Sequence, residues 1–130
     1  MKIGDEATAT MVVSDEFVRQ FAVLTGDMNP LHLDDAYARS TRFGKRIAHG
    51  MIAASLIASV LGDTLPGPGS VYLGQTLRFI KPVHIGDKLW ATVRVMEIEC
   101  CNTITLSTFC LNQDGALVVN GEATVWCPKE

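Results

Sequence analysis

Apolar residues recur three or four positions apart in the first half of this chain and at every second position in its last half. "ATATMVV" (7–13) alternates and predicts an opening strand. In "SDEFVRQFAVLTG" (14–26), Phe17, Phe21 and Leu24 recur at helical spacing behind Ser14, a residue type that caps helix starts. Asn29–Pro30 ends that helix, because the residue before proline is steered away from helical angles. "DDAYARSTRFG" (34–44) predicts a further short helix, opening near Asp34 or Asp35.

Residues 49–63 carry the strongest architectural signal. Met51, Ile52, Ala53, Ala54, Leu56, Ile57, Ala58, Val60 and Leu61 leave no polar stripe, and a helix apolar on every side must be covered on every side. Its serines, Ser55 and Ser59, are small enough to be buried by bonding back to the preceding turn. Strands follow. "SVYLGQTLRFI" (70–80) sets Val71, Leu73, Leu77 and Phe79 against Tyr72, Thr76 and Arg78. "KLWATVRVMEIE" (88–99) sets Leu89, Ala91, Val93 and Val95 against Thr92, Arg94 and Glu97. "TITLSTFCLN" (103–112) and "ALVVNGEATVW" (116–126) complete the set, with Asp114–Gly115 as the turn between them.

Connections this short make neighbouring strands antiparallel. The economical arrangement is an α+β domain over residues 1–130. In it a curved antiparallel sheet wraps around the 49–63 helix, while segment 14–48 and a second copy of the chain cover the other side. This is the hot-dog fold.

Composition sharpens the picture at four points. A chain of 130 residues that is 48% hydrophobic carries more apolar surface than one small domain usually hides, which predicts self-association. Eleven basic against 14 acidic residues give a net charge of −3, without the basic footprint of a nucleic-acid binder. The longest uncharged apolar run, 50–62, is too short for a bilayer, which takes about 20 residues, and "MKIGDEATAT" does not read as a signal peptide. Cys100, Cys101, Cys110 and Cys127 have no CxxC or zinc spacing. Three of them fall in strand-like segments, which predicts buried thiols and a reducing, cytoplasmic setting.

The chemistry concentrates in "LTGDMNPLH" (24–32). A carboxylate and an imidazole stand there around a turn, Asp27 and His32, with Gly26 permitting the turn and Asn29 and Pro30 fixing it. Such a pair can hold one water between its members and shuttle its protons. It can equally be structural, Asp27 capping the turn and His32 bonding a backbone carbonyl. "AHGM" (48–51) then places Gly50 at the start of the apolar helix. A free amide there suits an oxygen that becomes negative during reaction, although a glycine at that point also simply makes a tight turn. His49 is ambiguous, a secondary candidate for shaping the site. His84, beside a turn, reads as structural.

"LTGDMNPLH" followed by "RIAHGM" and "LPGPGSVYLGQTLRFIKPVHIGD" resembles the MaoC-like hydratase/dehydratase family, and most of all its short (R)-specific enoyl-CoA hydratases, over roughly residues 15–127. The resemblance implies a homodimeric hot-dog enzyme that adds water reversibly to trans-2-enoyl-CoA, giving (R)-3-hydroxyacyl-CoA without metal or redox cofactor. It puts the catalytic aspartate on Asp27, the histidine on His32 and the glycine whose amide holds the thioester oxygen on Gly50. Asp27 then deprotonates the water, and His32 orients it and helps return a proton to C2. Asn29 is a possible substrate contact. Of the basic run Arg39, Arg42, Lys45 and Arg46, Lys45 and Arg46 above all are candidates for the coenzyme A phosphates, against a plain solvated face. Ala53, Ala54, Ala58 and Leu61 are candidates for an acyl tunnel, or only for close packing. The rival readings are a hot-dog acyl-CoA thioesterase and a non-catalytic subunit that binds acyl thioesters.

Overall fold

The alternating half of the chain forms one antiparallel sheet and the helical half crosses its concave side. A computed structural model describes residues 1–128. In chain order the elements are β1 (Glu6–Val12), α1 (Asp15–Thr25), α2 (Pro30–Leu33), α3 (Asp35–Arg39) and α4 (Gly50–Asp63). They are followed by β2 (Val71–Gln75), β3 (Arg78–Phe79), β4 (Lys88–Ile98), β5 (Thr103–Leu111) and β6 (Leu117–Trp126). The sheet runs β1-β4-β5-β6-β2, and β3 also pairs with β6.

Strand β4 fits its predicted pattern up to Val95, where a bulge before Glu97 ends the alternation. Leu89, Ala91, Val93 and Val95 are fully buried, while Thr92 and Arg94 face outward. Ile104, Leu106 and Cys110 of β5 and Val119, Ala123 and Val125 of β6 continue the same layer. Helix α4 packs on β4, β1 and β5 and buries Ile52, Ala53, Ala54, Leu56, Ile57, Val60 and Leu61 against them. Ser55 and Ser59 donate back to the carbonyls of Ile52 and Leu56, at 2.6 and 2.8 Å. They are nevertheless exposed in the single chain. With Met51 they form one uncovered stripe of α4.

Helix α1 starts where Ser14 accepts from the Phe17 N–H at 3.0 Å and stops at Gly26, whose left-handed φ of 80° lets its N–H reach the Ala22 carbonyl. Val18 and Ala22 form its buried stripe, with Phe17 and Phe21 packed beside them. Leu24, expected on that face, is 85% exposed instead. The predicted 34–44 helix is shorter than expected: Asp34 caps α3 by accepting from the Tyr37 N–H, and the chain turns after Arg39.

The 70–80 segment departs from a single alternating strand. A bulge lies between Tyr72 and Gly74, and Thr76 and Leu77 separate β2 from β3. Gly121 of β6 explains the break. A methyl group there would stand 1.8 Å from the Thr76 carbonyl oxygen, so only glycine admits this crossing. The result is an edge strand with Val71, Tyr72 and Leu73 all exposed.

The cysteine expectation needs correction. Cys110 alone is a buried strand thiol, 3.6 Å from the Ala53 carbonyl, and burial pushes its pKa up to about 12. Cys100 and Cys101 are exposed on a 3₁₀ turn between β4 and β5, and Cys127 is half-buried after β6. All four are free thiols. Among the described residues, no helix is long and apolar enough to cross a membrane.

Candidate active site

Two backbone turns, brought together by four side chains, make the site. The first is the 26–33 segment. Thr25 Oγ1 accepts from the Asp27 N–H, Asp27 Oδ1 accepts from the Asn29 N–H at 3.2 Å, and Asn29 Oδ1 accepts from the Leu31 N–H at 3.0 Å. Asn29 thereby caps α2, a one-turn helix opened by Pro30 that carries His32 inward. The second turn, Ile47–His49, leads into α4. It is tied to the first by Ile47 N–H to Leu31 O and to strand-flanking Val83 by Ala48 N–H to Val83 O, at 2.6 Å.

The side chains lock the two turns reciprocally. His32 Nδ1 donates to the Ile47 carbonyl at 2.7 Å, and His49 Nε2 donates to the Asp27 carbonyl at 3.0 Å. The rings stack with centroids 4.0 Å apart, and Phe21 closes on the far side of His49 at 4.9 Å. His32 is 8% and His49 3% exposed. Arg46 fixes the arrangement from behind. Its Nε donates to the His32 carbonyl at 2.9 Å, and its guanidinium pairs with Asp15 and, at 3.9 Å, with Asp35.

A carbonyl only accepts, so the proton of His32 sits on Nδ1 and its Nε2 offers a lone pair. Burial holds the His32 pKa below the ordinary imidazole value, with His49 adding to that and the Ile47 bond and Asp27 opposing it. A carboxylate oxygen of Asp27 and one ring nitrogen each of His32 and His49 lie within 4.8 Å of one another. Two hydrogen bonds of about 2.8 Å span at most about 5.6 Å, so the spacing leaves room for one water between Asp27 and His32. Accepting on both sides, the pair orients both O–H bonds of that water toward itself and its lone pairs away. His32 is thus an acceptor at neutral pH, and it can give a proton only after taking one. The two structural roles considered for the pair, a capping carboxylate and a carbonyl-bonded imidazole, are both present, and they orient it. The same donor set could also hold a divalent cation.

Gly50 opens α4, and among the described residues no carbonyl accepts its N–H. A methyl group on Gly50 would stand 2.9 Å from the Phe79 ring, so the glycine lets that ring lie against the helix start. Two clefts meet at Gly50. The larger, about 750 Å³, is bounded by Asp27, His49 and apolar side chains including Phe21, Ala54, Ala58, Leu73 and Leu77. The smaller, about 330 Å³, is bounded by His32, Ala53, Phe79, Val83 and the cations Arg42 and Lys81.

Other sequence candidates separate here. Ala54 and Ala58 face the larger cleft and Ala53 the smaller, whereas Leu61 is core. Lys45 and Asn29 are exposed and border neither cleft, and Asn29 Oδ1 caps α2. The expectation that Arg46 meets phosphate is corrected. Its guanidinium is 8% exposed and committed to Asp15 and the His32 carbonyl. His84 borders neither cleft, its backbone N–H donating to Asp87 Oδ2 at 2.9 Å beside a bridge to Ile47. Sequence reasoning underrated His49, Phe21 and Lys81. The signal for His49 was its place one residue before Gly50.

Against known proteins, residues 2–108 match the MaoC like domain, and the chain belongs to that family. It is 45% identical over 129 residues to the (R)-specific enoyl-CoA hydratase of Aeromonas caviae, covering 98% of this chain and 96% of that one. It is 47% identical to the 3-hydroxybutyryl-CoA dehydratase of Methylorubrum extorquens over 131 residues, covering 100% and 83%. Its fold superposes on that of an R-hydratase from Pseudomonas aeruginosa in the unliganded form, with a TM-score of 0.96, 44% identity, and 100% and 84% of the two chains covered. The hot-dog assignment stands.

The buried imidazole sets a pH signature. A charge on His32 is disfavoured in the folded state. Its contribution to stability is therefore complete above the ordinary value of 6.5 and lost as pH falls through the lower folded-state value. Asp15, held below the ordinary 3.8 by Arg46 and then Arg19, contributes in a separate, more acidic window. Urea midpoints are expected to drop as pH is lowered from about 6.5 toward 5, and His32→Asn, which keeps a donor for Ile47, should flatten that drop. An undiminished slope in the variant would contradict the assignment.

Proposed function

We propose that the protein is an (R)-specific enoyl-CoA hydratase, which adds water across the C2–C3 bond of trans-2-enoyl-CoA and catalyses the reverse dehydration. The observation that carries this reading is that a carboxylate oxygen of Asp27 and a ring nitrogen of His32 lie within 4.8 Å of each other, while Gly50, whose N–H no carbonyl accepts among the described residues, borders both the cleft that Asp27 lines and the cleft that His32 lines. The names and high identity of the full-length relatives support it.

The chemistry follows from the charge that must move. A thioester carbonyl at the Gly50 N–H accepts the electron pair displaced from C2–C3 as the water oxygen bonds to C3. The helix start stabilises the resulting enolate oxygen. Asp27 takes the proton lost by the water, while His32 holds the other O–H in place. Collapse of the enolate then takes a proton at C2 from the Asp27–His32 pair, so water adds as H and OH to one face. The larger cleft, apolar apart from Asp27, His49 and a few hydroxyl and amide groups, suits the acyl chain. No step calls for a metal or a redox cofactor.

A homodimer is part of this proposal. The edge strand β2 exposes Val71, Tyr72 and Leu73 next to the uncovered Met51–Ser55–Ser59 stripe of α4. An apolar sheet edge of this kind is an association surface, and a second copy would roof the larger cleft beside it. A cytoplasmic location is likewise proposed, supported by the four free thiols.

In EDTA-containing buffer, crotonyl-CoA hydration is expected to proceed. Asp27→Asn and His32→Ala should each lower turnover by roughly 10²–10⁴-fold. Near-normal turnover in both folded variants would remove the assignment. Light scattering should give a two-chain mass for the native protein and a one-chain mass for Leu73→Asp; a monomeric native protein would contradict the pairing.

A further inference from the structure

We propose that Asp27, His32 and His49 form a binding site for a divalent transition-metal ion of the zinc type, and that the ion blocks hydration by occupying the lone pairs that hold the water. The inference rests on the hydratase reading above and adds a regulation of the same site. It starts from a polar atom that the reaction does not use. His49 is 3% exposed, and its Nδ1 is buried without a hydrogen-bond partner. Because Nε2 donates to the Asp27 carbonyl, Nδ1 carries a lone pair and no proton. A buried acceptor left unpaired is costly, and a metal cation is a ligand that satisfies it.

The other two members are prepared in the same way. His32 donates from Nδ1 to the Ile47 carbonyl, which leaves its Nε2 unprotonated. Asp27 accepts from the Asn29 N–H through Oδ1, which leaves Oδ2. Each of the three side chains is anchored to backbone through one atom and offers the other. That is the outer shell a metal site requires, since a bond at the far atom fixes the ring or carboxylate and keeps the near atom an electron donor. One oxygen of Asp27 and one nitrogen of each ring lie within 4.8 Å of one another. A tetrahedral ion about 2.1 Å from each ligand holds its ligands about 3.4 Å apart. Asp27, exposed beside two buried rings, is the member free to move inward. Two imidazoles and a carboxylate, with a position left for solvent, are a donor set that zinc accepts. Among the described residues no other three His, Cys, Asp or Glu side chains are gathered in this way, so one ion per chain is expected. Bound there, the ion takes the Asp27 lone pair that receives the proton of the water and the His32 lone pair that holds its other O–H.

The test is titration calorimetry with zinc chloride, in a Cys100→Ser, Cys101→Ser background that removes two exposed thiols as competing ligands. One ion per chain is expected. Asp27→Asn, which keeps an acceptor for the Asn29 N–H, and His49→Ala should each weaken binding roughly tenfold or more. Over the same concentration range zinc should abolish crotonyl-CoA hydration, and EDTA should restore it. Absence of binding, unchanged affinity in the folded Asp27→Asn variant, or full turnover with the ion bound would overturn the proposal. EDTA-treated native protein that hydrates no crotonyl-CoA would instead remove the hydratase reading and the inhibition with it, while the calorimetry would still decide the site.

Discussion

The structure depends on a reciprocal exchange of hydrogen bonds between two short turns. His32 of the first donates to the Ile47 carbonyl of the second, and His49 of the second donates to the Asp27 carbonyl of the first. Each imidazole is itself buried and spends one ring N–H on a backbone carbonyl of the other turn, so neither ring's donor is left unpaired. Because the bonds run in opposite directions, the turns cannot slide past one another without breaking both. Arg46 and the Ala48–Val83 bond anchor the pair to α1 and to the region beside the sheet.

Chemical consequences follow from that lock. It fixes the tautomer of His32, and with it the nitrogen that carries the lone pair offered to a water in the proposed reaction. It sets the start of α4, where Gly50 borders both clefts. It also buries His32 against His49, and burial first, then the neighbouring ring, favours the neutral form of His32. His49 Nδ1 is buried with no partner, a polar atom left over from a geometry dictated by the opposite nitrogen. The large apolar helix gives the site its rigidity: α4 is packed on three strands, so the peptide groups at its start are held still.

Much of this was legible in the chain. Strand β4 alternated from Lys88 to Val95, up to its bulge before Glu97, because it lies mid-sheet with one face on the core, where a side-chain period of two is enforced. The motif around Asp27 and His32 was legible because turn chemistry is local: Asn29 and Pro30 act on their immediate neighbours. Three features were not legible, each set by distant residues. The break between β2 and β3 is imposed by Gly121, more than 40 positions away. Arg46 read as a surface cation, yet Asp15, on another helix, draws it inside. The exposure of Leu24 depends on how α1 is rotated on the sheet, which its own spacing does not determine. His49 fell between these cases, its position visible and its partner not.

The lock is tested most directly by the tautomers of its two histidines. Long-range ¹⁵N–¹H correlation of the imidazole rings, recorded at neutral to mildly alkaline pH, reports which nitrogen carries each proton. The account predicts Nδ1–H for His32 and Nε2–H for His49, the two forms that can donate to Ile47 and Asp27. An Nε2–H form of His32 would turn a donor toward Asp27 in place of a lone pair, and the arrangement described here would be wrong.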